Sequence, residues 1–479
     1  MDMLQGLRRH LRLARLARRA VGSLVRGLVW PAWLMMAFSP TLDAPLSREV
    51  AAASFDEVWQ QVRDSHYDYE RVRDDWERLH ATLRDKAANA RDREALRLVL
   101  AELLSALDDS HYSILPEDIM EQGQAPANGS ETDSPGAGDP GTAGIRIALV
   151  GGQVLVTRVE PESPGARAGL NPGMAVVSVN DWALVESLES LARLDGERDR
   201  RWARTFLQSA VQDRIGWPDL GRTLRLGLAD IDGRVVHVEI APEATPVQTF
   251  RAGTLPPMRF EFDAERVARN SGACIGRIEF TSWVPALGAA LQRALPLLLD
   301  CRGLVIDLRG NPGGVMAMMM PVAGWLFDEV TTLGTMRNAS GEIHFRALPR
   351  RVLSDGTAVA PFAGPVAILV DAASASTSEM FAAGLQGSGR AQVFGTRTPG
   401  MALPANARRL SSGDSLMYVV ADYIGPTGAR IEGGGVEPDQ VIVPTPETLT
   451  GCIDPVLLAA FDWIEQRPAG FSCSTTKER

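Results

Sequence analysis

Three observations predict a multi-domain α/β protein. From about residue 255 onward, apolar runs of strand length alternate with helical stretches, the pattern of a βαβ sheet. Residues 47–116 instead carry apolar residues at helical spacing, and a β-rich region with hairpin and turn signals stands between the two. The 479 residues exceed one ordinary domain, and 45% hydrophobic with 23% charged residues supply ample core.

The elements follow in chain order. Residues 1–45 open with Arg8, Arg9, Arg12, Arg15, Arg18, Arg19 and Arg26, and an apolar stretch covers 27–38. A basic segment before a short apolar one reads as a signal-like leader for export, to a bacterial periplasm or cell envelope, or as an uncleaved anchor. Arg26 and Pro31 interrupt the stretch, which is shorter than the roughly 20 apolar residues of an ordinary membrane span. Residues 47–120 read as a helical region, with Leu96, Val99, Leu100, Leu103, Leu104 and Leu107 as its apolar stripe. Residues 121–143, rich in Gly, Pro, Ser and acidic residues, read as a flexible linker. Within 144–245, the strand-like runs 145–150 and 153–159 flank Gly151 and Gly152, a hairpin signal. The leucines of 183–213 mark helical material inserted there. Over 255–446, strands are expected at 275–280, 303–308 and 366–370, and helices at 283–298, 314–326 and 377–387. Residues 447–479 hold a last helix and tail.

Composition narrows the partners. A net charge of −10 argues against nucleic acid and against an anionic membrane surface, leaving any membrane contact to the N-terminal segment. Of 49 basic residues only Lys86 and Lys477 are lysine. Four cysteines fit an oxidising compartment. Cys274 and Cys301 each precede a predicted strand. If those strands are parallel neighbours, both thiols lie at one sheet edge within disulfide reach; two free thiols is the other reading. Cys452 and Cys473 flank the last helix. No C-x-x-C pair or clustered His/Cys spacing predicts a metal site.

The segment Asp371-Ala-Ala-Ser-Ala-Ser-Thr-Ser-Glu379 joins the predicted strand 366–370 to the predicted helix 377–387. A small-residue elbow there exposes the Ser376 hydroxyl at a helix N-terminus, where backbone N–H groups favour developing negative charge. Ser376 is then a nucleophile. Ser376 with Glu379 three residues on also makes a capping box, which only starts a helix. Both readings stand on these residues alone.

Taken together, the segments resemble the C-terminal processing proteases and the tricorn core protease, over most of residues 50–445. Four stretches carry the resemblance. Ser163-Pro-Gly-Ala-Arg-Ala-Gly-Leu-Asn-Pro-Gly-Met174 resembles the PDZ segment of such proteases; Gly303-Leu-Val-Ile-Asp-Leu-Arg-Gly-Asn-Pro-Gly-Gly314 resembles their strand and glycine loop; the Ser374–Glu379 stretch resembles their nucleophile elbow; and Ser110-His111 matches a Ser-His pair of the tricorn-like branch. The resemblance implies a serine peptidase with a ClpP/crotonase-like βαβ core, a PDZ-like domain over 144–245, a polypeptide substrate and no cofactor.

One departure redirects the chemistry. C-terminal processing proteases use a lysine as base in a Thr-Phe-Gly-Lys context, where this chain reads Thr398-Pro-Gly-Met401. Methionine takes no proton, and Lys86 and Lys477 lie in distant regions. A serine hydroxyl needs a base tuned near the working pH, and histidine suits that role. His10, His66, His80 and His237 fall in the leader, the N-terminal helices or the β-rich region. His111 stands in a polar turn after the apolar helix, as base or as a helix C-terminal cation; His344 is the second candidate.

The resemblance selects Glu432, in Ile431-Glu-Gly-Gly-Gly-Val-Glu-Pro-Asp439, to orient His111 through Ser110. A surface glutamate in a glycine-rich turn is the plainer reading, and Asp108 and Asp109 are alternative orienters. For the oxyanion, N–H donors are expected from Gly313, Gly314 and Thr377. Met316, Met318, Met319 and Met320 are core packing or a pocket for an apolar side chain. Gly144, Ile145, Arg146 and Ile147 are the expected loop and strand for binding a polypeptide C-terminus by strand addition. The alternative is a catalytically inactive protein of this fold that binds peptides or apolar ligands.

Overall fold

The computed structural model describes residues 45–117, 140–245, 248–251, 257–269, 272, 274–451 and 454–465. Residues 1–44 of the expected leader, residues 121–139 of the expected linker, His10, Lys477, Cys452 and Cys473 lie outside them.

Three helices open the described chain: α1 (Arg48–Ser65), α2 (Tyr69–Ala88) and α3 (Arg93–Leu104). Ser47 caps α1 through the Val50 N–H (3.3 Å), and Asp92 caps α3 through the Ala95 N–H (2.7 Å). Phe55, Val62, Trp76, Leu96, Leu100 and Leu103 interdigitate as one core that also takes in Leu410 and Leu416 from far along the chain. The helical region ends earlier than the sequence predicts. After Leu107 the chain turns through Asp108 and His111, both left-handed (φ 56° and 64°), into the strand β1 (Ser113–Leu115).

The second module is an antiparallel sheet of β2 (Ile145–Val150), β3 (Gln153–Val159), β4 (Ala175–Val179), β5 (Leu224–Ala229) and β6 (Val235–Ile240), in that order. Gly151 and Gly152 have positive φ, as the β2–β3 hairpin requires. Between β4 and β5 run α4 (Leu184–Ala192) and the long α5 (Glu197–Gly216). Helix α5 lies along β2, the sheet's outer strand, and leans out over the third module.

That third module is a six-stranded sheet. Its strands are β7 (Phe262–Ala268), β8 (Cys274–Phe280), β9 (Gly303–Asp307), β10 (Val366–Val370), β11 (Ala391–Gly395) and, at the far edge, Gln440–Val441. All run parallel except β7. Strands β9 and β10 are buried throughout, which explains the apolar runs 303–306 and 366–370; the buried Asp307 that ends β9 is paired with Arg309 and Arg277. Helix α6 (Ala286–Leu298) follows β8, and α7 (Thr377–Gly387) follows β10 over the residues the sequence predicts. Strands β12 (Ala405–Arg409) and β13 (Ser415–Val419) form a hairpin, and β13 pairs with β1. This pairing carries the Asp108–His111 turn to the sheet. Helix α8 (Pro455–Glu465) closes the opposite face with Val456, Ala460, Phe461 and Ile464.

Two helices differ from expectation for one reason. Gly314 makes a parallel bridge with Trp283 instead of starting a helix, so α6 begins at Ala286. After the loop only a short turn at Met316–Met318 and a helix at Met319–Ala323 form. Gly314 has φ 141°, and a Cβ there would lie 2.6 Å from the Trp283 carbonyl oxygen. Cys274 and Cys301, at the amino ends of β8 and β9, form a disulfide (Cα–Cα 4.8 Å). No helix among the described residues is long and apolar enough to cross a membrane.

Candidate active site

Parallel strands deliver their following loops to one edge, so the loops after β9 and β10 meet at the carboxyl ends of the sheet. The loop after β10 holds Ser376 at φ 56° and ψ −120°, a costly backbone for a residue with a side chain. Several bonds keep it there. Ala375 N–H donates to Asn311 O (3.1 Å) and Ser374 Oγ to Leu308 O (2.7 Å). Ser376 N–H is shared between Met401 O (2.9 Å) and Glu379 Oε2 (3.1 Å).

Glu379 does more than start α7. Its fully buried carboxylate also accepts from Thr398 Oγ1 (2.5 Å), Gly400 N–H (2.7 Å) and Met401 N–H (2.8 Å). It therefore fastens the elbow to the loop that holds Met401. Burial pushes its pKa up to about 7, against the pull of those donors. The sequence reading saw only the helix cap; the hydroxyl and N–H groups that Glu379 collects come from a loop it meets only in the fold.

His111 comes from the turn before β1. Its Nδ1 lies 2.7 Å from Ser110 Oγ. Ser110 Oγ donates to Glu432 Oε2 (2.9 Å), while Ser110 N–H donates to Glu432 Oε1 (2.8 Å). Ala402 N–H adds a third donor to Glu432 (2.8 Å). A serine hydroxyl has one proton. Given to the Glu432 carboxylate, it leaves Ser110 Oγ to accept from His111 Nδ1–H. The lone pair of His111 then sits on Nε2. Burial pushes the His111 pKa down to about 4, so the ring is neutral at neutral pH. Burial pushes Glu432 up to about 7, its three donors pulling the other way and the nearby Glu379 adding to the rise.

The remaining expected residues divide. Of the described histidines, His111 alone lines the cleft that also holds Ser376. His344 is exposed and bonded to Thr335 Oγ1 (3.0 Å), His66 faces Asp109 (3.2 Å), and His80 faces Asp56 (3.3 Å). Neither alternative orienter reaches His111. Asp108 pairs with Arg198, and Asp109 accepts from Tyr67 (3.1 Å) and Arg71 (2.5 Å). Lys86 pairs with Glu102 (2.5 Å) on the N-terminal helices, and Met401 is buried against Trp202 and Ala375. Among the described residues, no hydrogen bond joins Ser376 Oγ to His111; such pairs often tighten only around substrate.

Gly313 abuts the elbow, and a Cβ there would lie 2.7 Å from Ser376 Cβ. Its N–H, however, points to Asn311 Oδ1 (3.0 Å). That corrects the expectation of three oxyanion donors: the N–H groups of Gly314 and Thr377 are the ones not spent in the described hydrogen bonds. The methionines also divide. Met316 lines the cleft, Met319 is fully buried in the core, and Met318 and Met320 pack against that core. In the second module, Gln212 accepts from Ile147 N–H (2.9 Å) and donates to Ile145 O (3.1 Å); Gln208 accepts from Leu149 N–H (2.9 Å). Gly144 has φ 68°, and the Arg146 side chain bonds Glu261 (2.6 Å). The helical insertion expected within 183–213 includes helix α5, and it lies on this edge.

Comparison with known proteins agrees with this architecture. Residues 274–442 match peptidase family S41, and residues 48–105 match the tricorn protease C1 domain. A chloroplastic C-terminal processing peptidase of Tetradesmus obliquus is 27% identical over 399 residues, covering 81% of this chain and 77% of that protein. The carboxy-terminal processing protease CtpB of Bacillus subtilis is 24% identical, covering 78% of this chain and 68% of that one. Among solved structures, the photosystem II D1 C-terminal processing protease superposes with a TM-score of 0.51 at 23% identity, covering 83% of this chain and 94% of its own. Mature CPAF superposes at 0.56 with 12% identity, covering 90% and 99%. These two carry the fold. The chain is a serine peptidase that carries a peptidase family S41 domain at residues 274–442 and a tricorn protease C1 domain at residues 48–105.

Proposed function

We propose that this chain is a serine endopeptidase that works through Ser376, His111 and Glu432, with Ser110 as relay, rather than through a Ser/Lys dyad. The observation that carries this reading is the Glu432–Ser110–His111 hydrogen-bond chain on the cleft that holds the strained Ser376 elbow, with Met401 in the lysine's place. Ser376 Oγ attacks the scissile carbonyl carbon as His111 Nε2 takes its proton. Gly314 and Thr377 N–H groups receive the oxyanion. His111 returns the proton to the leaving amine, and the same base then activates water to cleave the acyl-enzyme. Glu432, ionised, favours the imidazolium through Ser110.

The second module is read as PDZ-like, with Gly144, Ile145, Arg146 and Ile147 as the edge to which a polypeptide C-terminus adds. Gln212 occupies the Ile145 and Ile147 backbone groups, so an incoming strand must displace it. The basic, then apolar, start of the chain supports export.

A fluorophosphonate probe tests the nucleophile. The wild type is expected to label, Ser376→Ala to lose labelling, and His111→Ala to slow it by roughly 10²–10⁴-fold. Wild-type protein that does not label at Ser376 would instead support the non-catalytic binding reading.

A further inference from the structure

The turn that presents His111 is held at three points by three different modules. Asp109 is held by His66, Tyr67 and Arg71 of the N-terminal helices. Ser110 is held by Glu432 of the catalytic module. Asp108 is held by Arg198 of helix α5, in the second module. Asp108 and His111 are two of the five non-glycine residues with positive φ among the described residues, so this turn depends on outside support.

Arg198 grips Asp108 by both guanidinium amino groups, one at 2.9 Å, and also reaches the Asp108 carbonyl oxygen (3.4 Å). Its guanidinium lies 5.0 Å from the Trp202 ring centroid, and its stem passes 3.7 Å from where a Gly433 Cβ would stand. It therefore lies between the base's turn and the residue after Glu432. The same helix face continues the pattern. Arg201 donates to Pro399 O (3.5 Å) and to Gly433 O. Trp202 Nε1 donates to Gly400 O (3.3 Å), its ring packed on Ala375 and Met401. Thr205 Oγ1 donates to Ala372 O (2.5 Å). Positions 198, 201, 202 and 205 share one helix face. Each touches a loop that carries Ser376, Glu432 or His111, or the loop of Met401 between them.

We propose that Arg198 is a positioning residue for the His111 base, and that this face of α5 sets the spacing of the three catalytic loops from outside the catalytic module. In proteins with a lysine at position 401, the base rides on that loop itself. Here the base arrives from a separate module, so the distance from His111 to Ser376 depends on how three pieces are braced. Arg198 spans that gap. The inference rests on the Ser376–His111 reading above.

The test compares wild type, Arg198→Ala, Arg198→Lys and Asp108→Ala with the Arg198→Ala/Asp108→Ala double variant. Arg198→Ala is expected to lower kcat and the fluorophosphonate labelling rate by about 10²-fold, with KM within about twofold, since a displacement of roughly 1 Å at the reacting groups costs that much. Arg198→Lys recovers part of the loss. The double variant is no slower than Arg198→Ala alone, because the two residues act as one contact. A second readout needs no turnover: in protein carrying ¹³C-histidine, the His111 ring signal, assigned with His111→Gln, passes from one tautomer in wild type to a mixture in Arg198→Ala. Labelling at the wild-type rate in Arg198→Ala, or an unchanged His111 signal, overturns the proposal. Absence of labelling in wild type overturns the nucleophile reading instead, while the ring signal still decides Arg198.

Discussion

Glu379 and Glu432 are two buried carboxylates separated by consecutive N–H groups of one loop, with Gly400 and Met401 donating to the first and Ala402 to the second. Their separate partners give them separate roles. Glu379 touches the nucleophile's own N–H, whereas Glu432 meets the His111 relay through Ser110. Because Glu432 is pushed up to about 7 and His111 down to about 4, an acid limb near neutrality is expected from Glu432 rather than from His111. As pH falls through about 7, Glu432 gains a proton and its hydroxyl can donate to Ser110. Ser110 then donates to His111 Nδ1, and the ring proton moves to Nε2, where it blocks the base. Glu432→Gln is expected to lower kcat/KM by about 10³–10⁴-fold and to erase an acid limb near neutrality. A pH–rate profile that keeps the same limb in the variant would reject this assignment. Glu379→Ala tests the other carboxylate. It strips acceptors from the buried Thr398 hydroxyl and from the Gly400 and Met401 N–H groups, so thermal unfolding should show a loss of about 3 kcal/mol or more. A loss below about 1 kcal/mol would mean that water or another acceptor serves these groups.

At the scale of elements, helix α5 has two jobs along one face. Its first turns, from Arg198 to Thr205, brace the catalytic loops, and the later ones cover the β2 edge through Gln208 and Gln212. The Gln212 amide fills the hydrogen-bonding places that an added strand would use. Gln212→Ala is therefore expected to tighten binding of a fluorescent peptide with a free C-terminal carboxylate, measured by anisotropy, and not of its amide. Equal binding of acid and amide, or none in either protein, would count against a C-terminus site on β2. The contrast between α7 and α5 explains what the sequence discloses. Strand β10, the elbow and α7 were legible because a buried parallel strand, a small-residue turn and a helix start each leave a local pattern. His111, Ser110 and Glu432 were legible only through resemblance, since their partnership joins residues more than 300 positions apart. The direction of the Gly313 N–H was not legible, because Asn311 Oδ1 captures it through a turn of the loop rather than through residue type. Nor was α5's role: a helix face of Arg198, Arg201, Trp202 and Thr205 looks like any solvated face until the loops it meets are in place.

Across the whole molecule, the catalytic sheet has a chemical end and a structural end. Ser376 and the glycine loop follow the carboxyl ends of β10 and β9, whereas Cys274 and Cys301 join the amino ends of β8 and β9. The modules that meet at the chemical end are tied by polar contacts, such as Arg158 with Glu279 (2.6 Å) and Arg146 with Glu261 (2.6 Å). The disulfide instead closes a loop within the sheet itself, with a sequence separation of 27. Loop-closure entropy for such a length corresponds to about 3–4 kcal/mol of stability. Losing it should thus lower stability without disturbing the site. A Cys274→Ser/Cys301→Ser protein is expected to unfold at a temperature lower by roughly 6–15 °C, at about 2–4 °C per kcal/mol for a domain of this size. At 25 °C its rate of fluorophosphonate labelling should match wild type within about twofold, since none of the bonds that hold Ser376, His111 or Glu432 reaches the amino ends of the strands. Thermal unfolding and labelling measured on the same preparation separate the two ends. A variant that keeps its unfolding temperature but labels slowly would show that the bridge acts on the elbow, and the division of the sheet would fail.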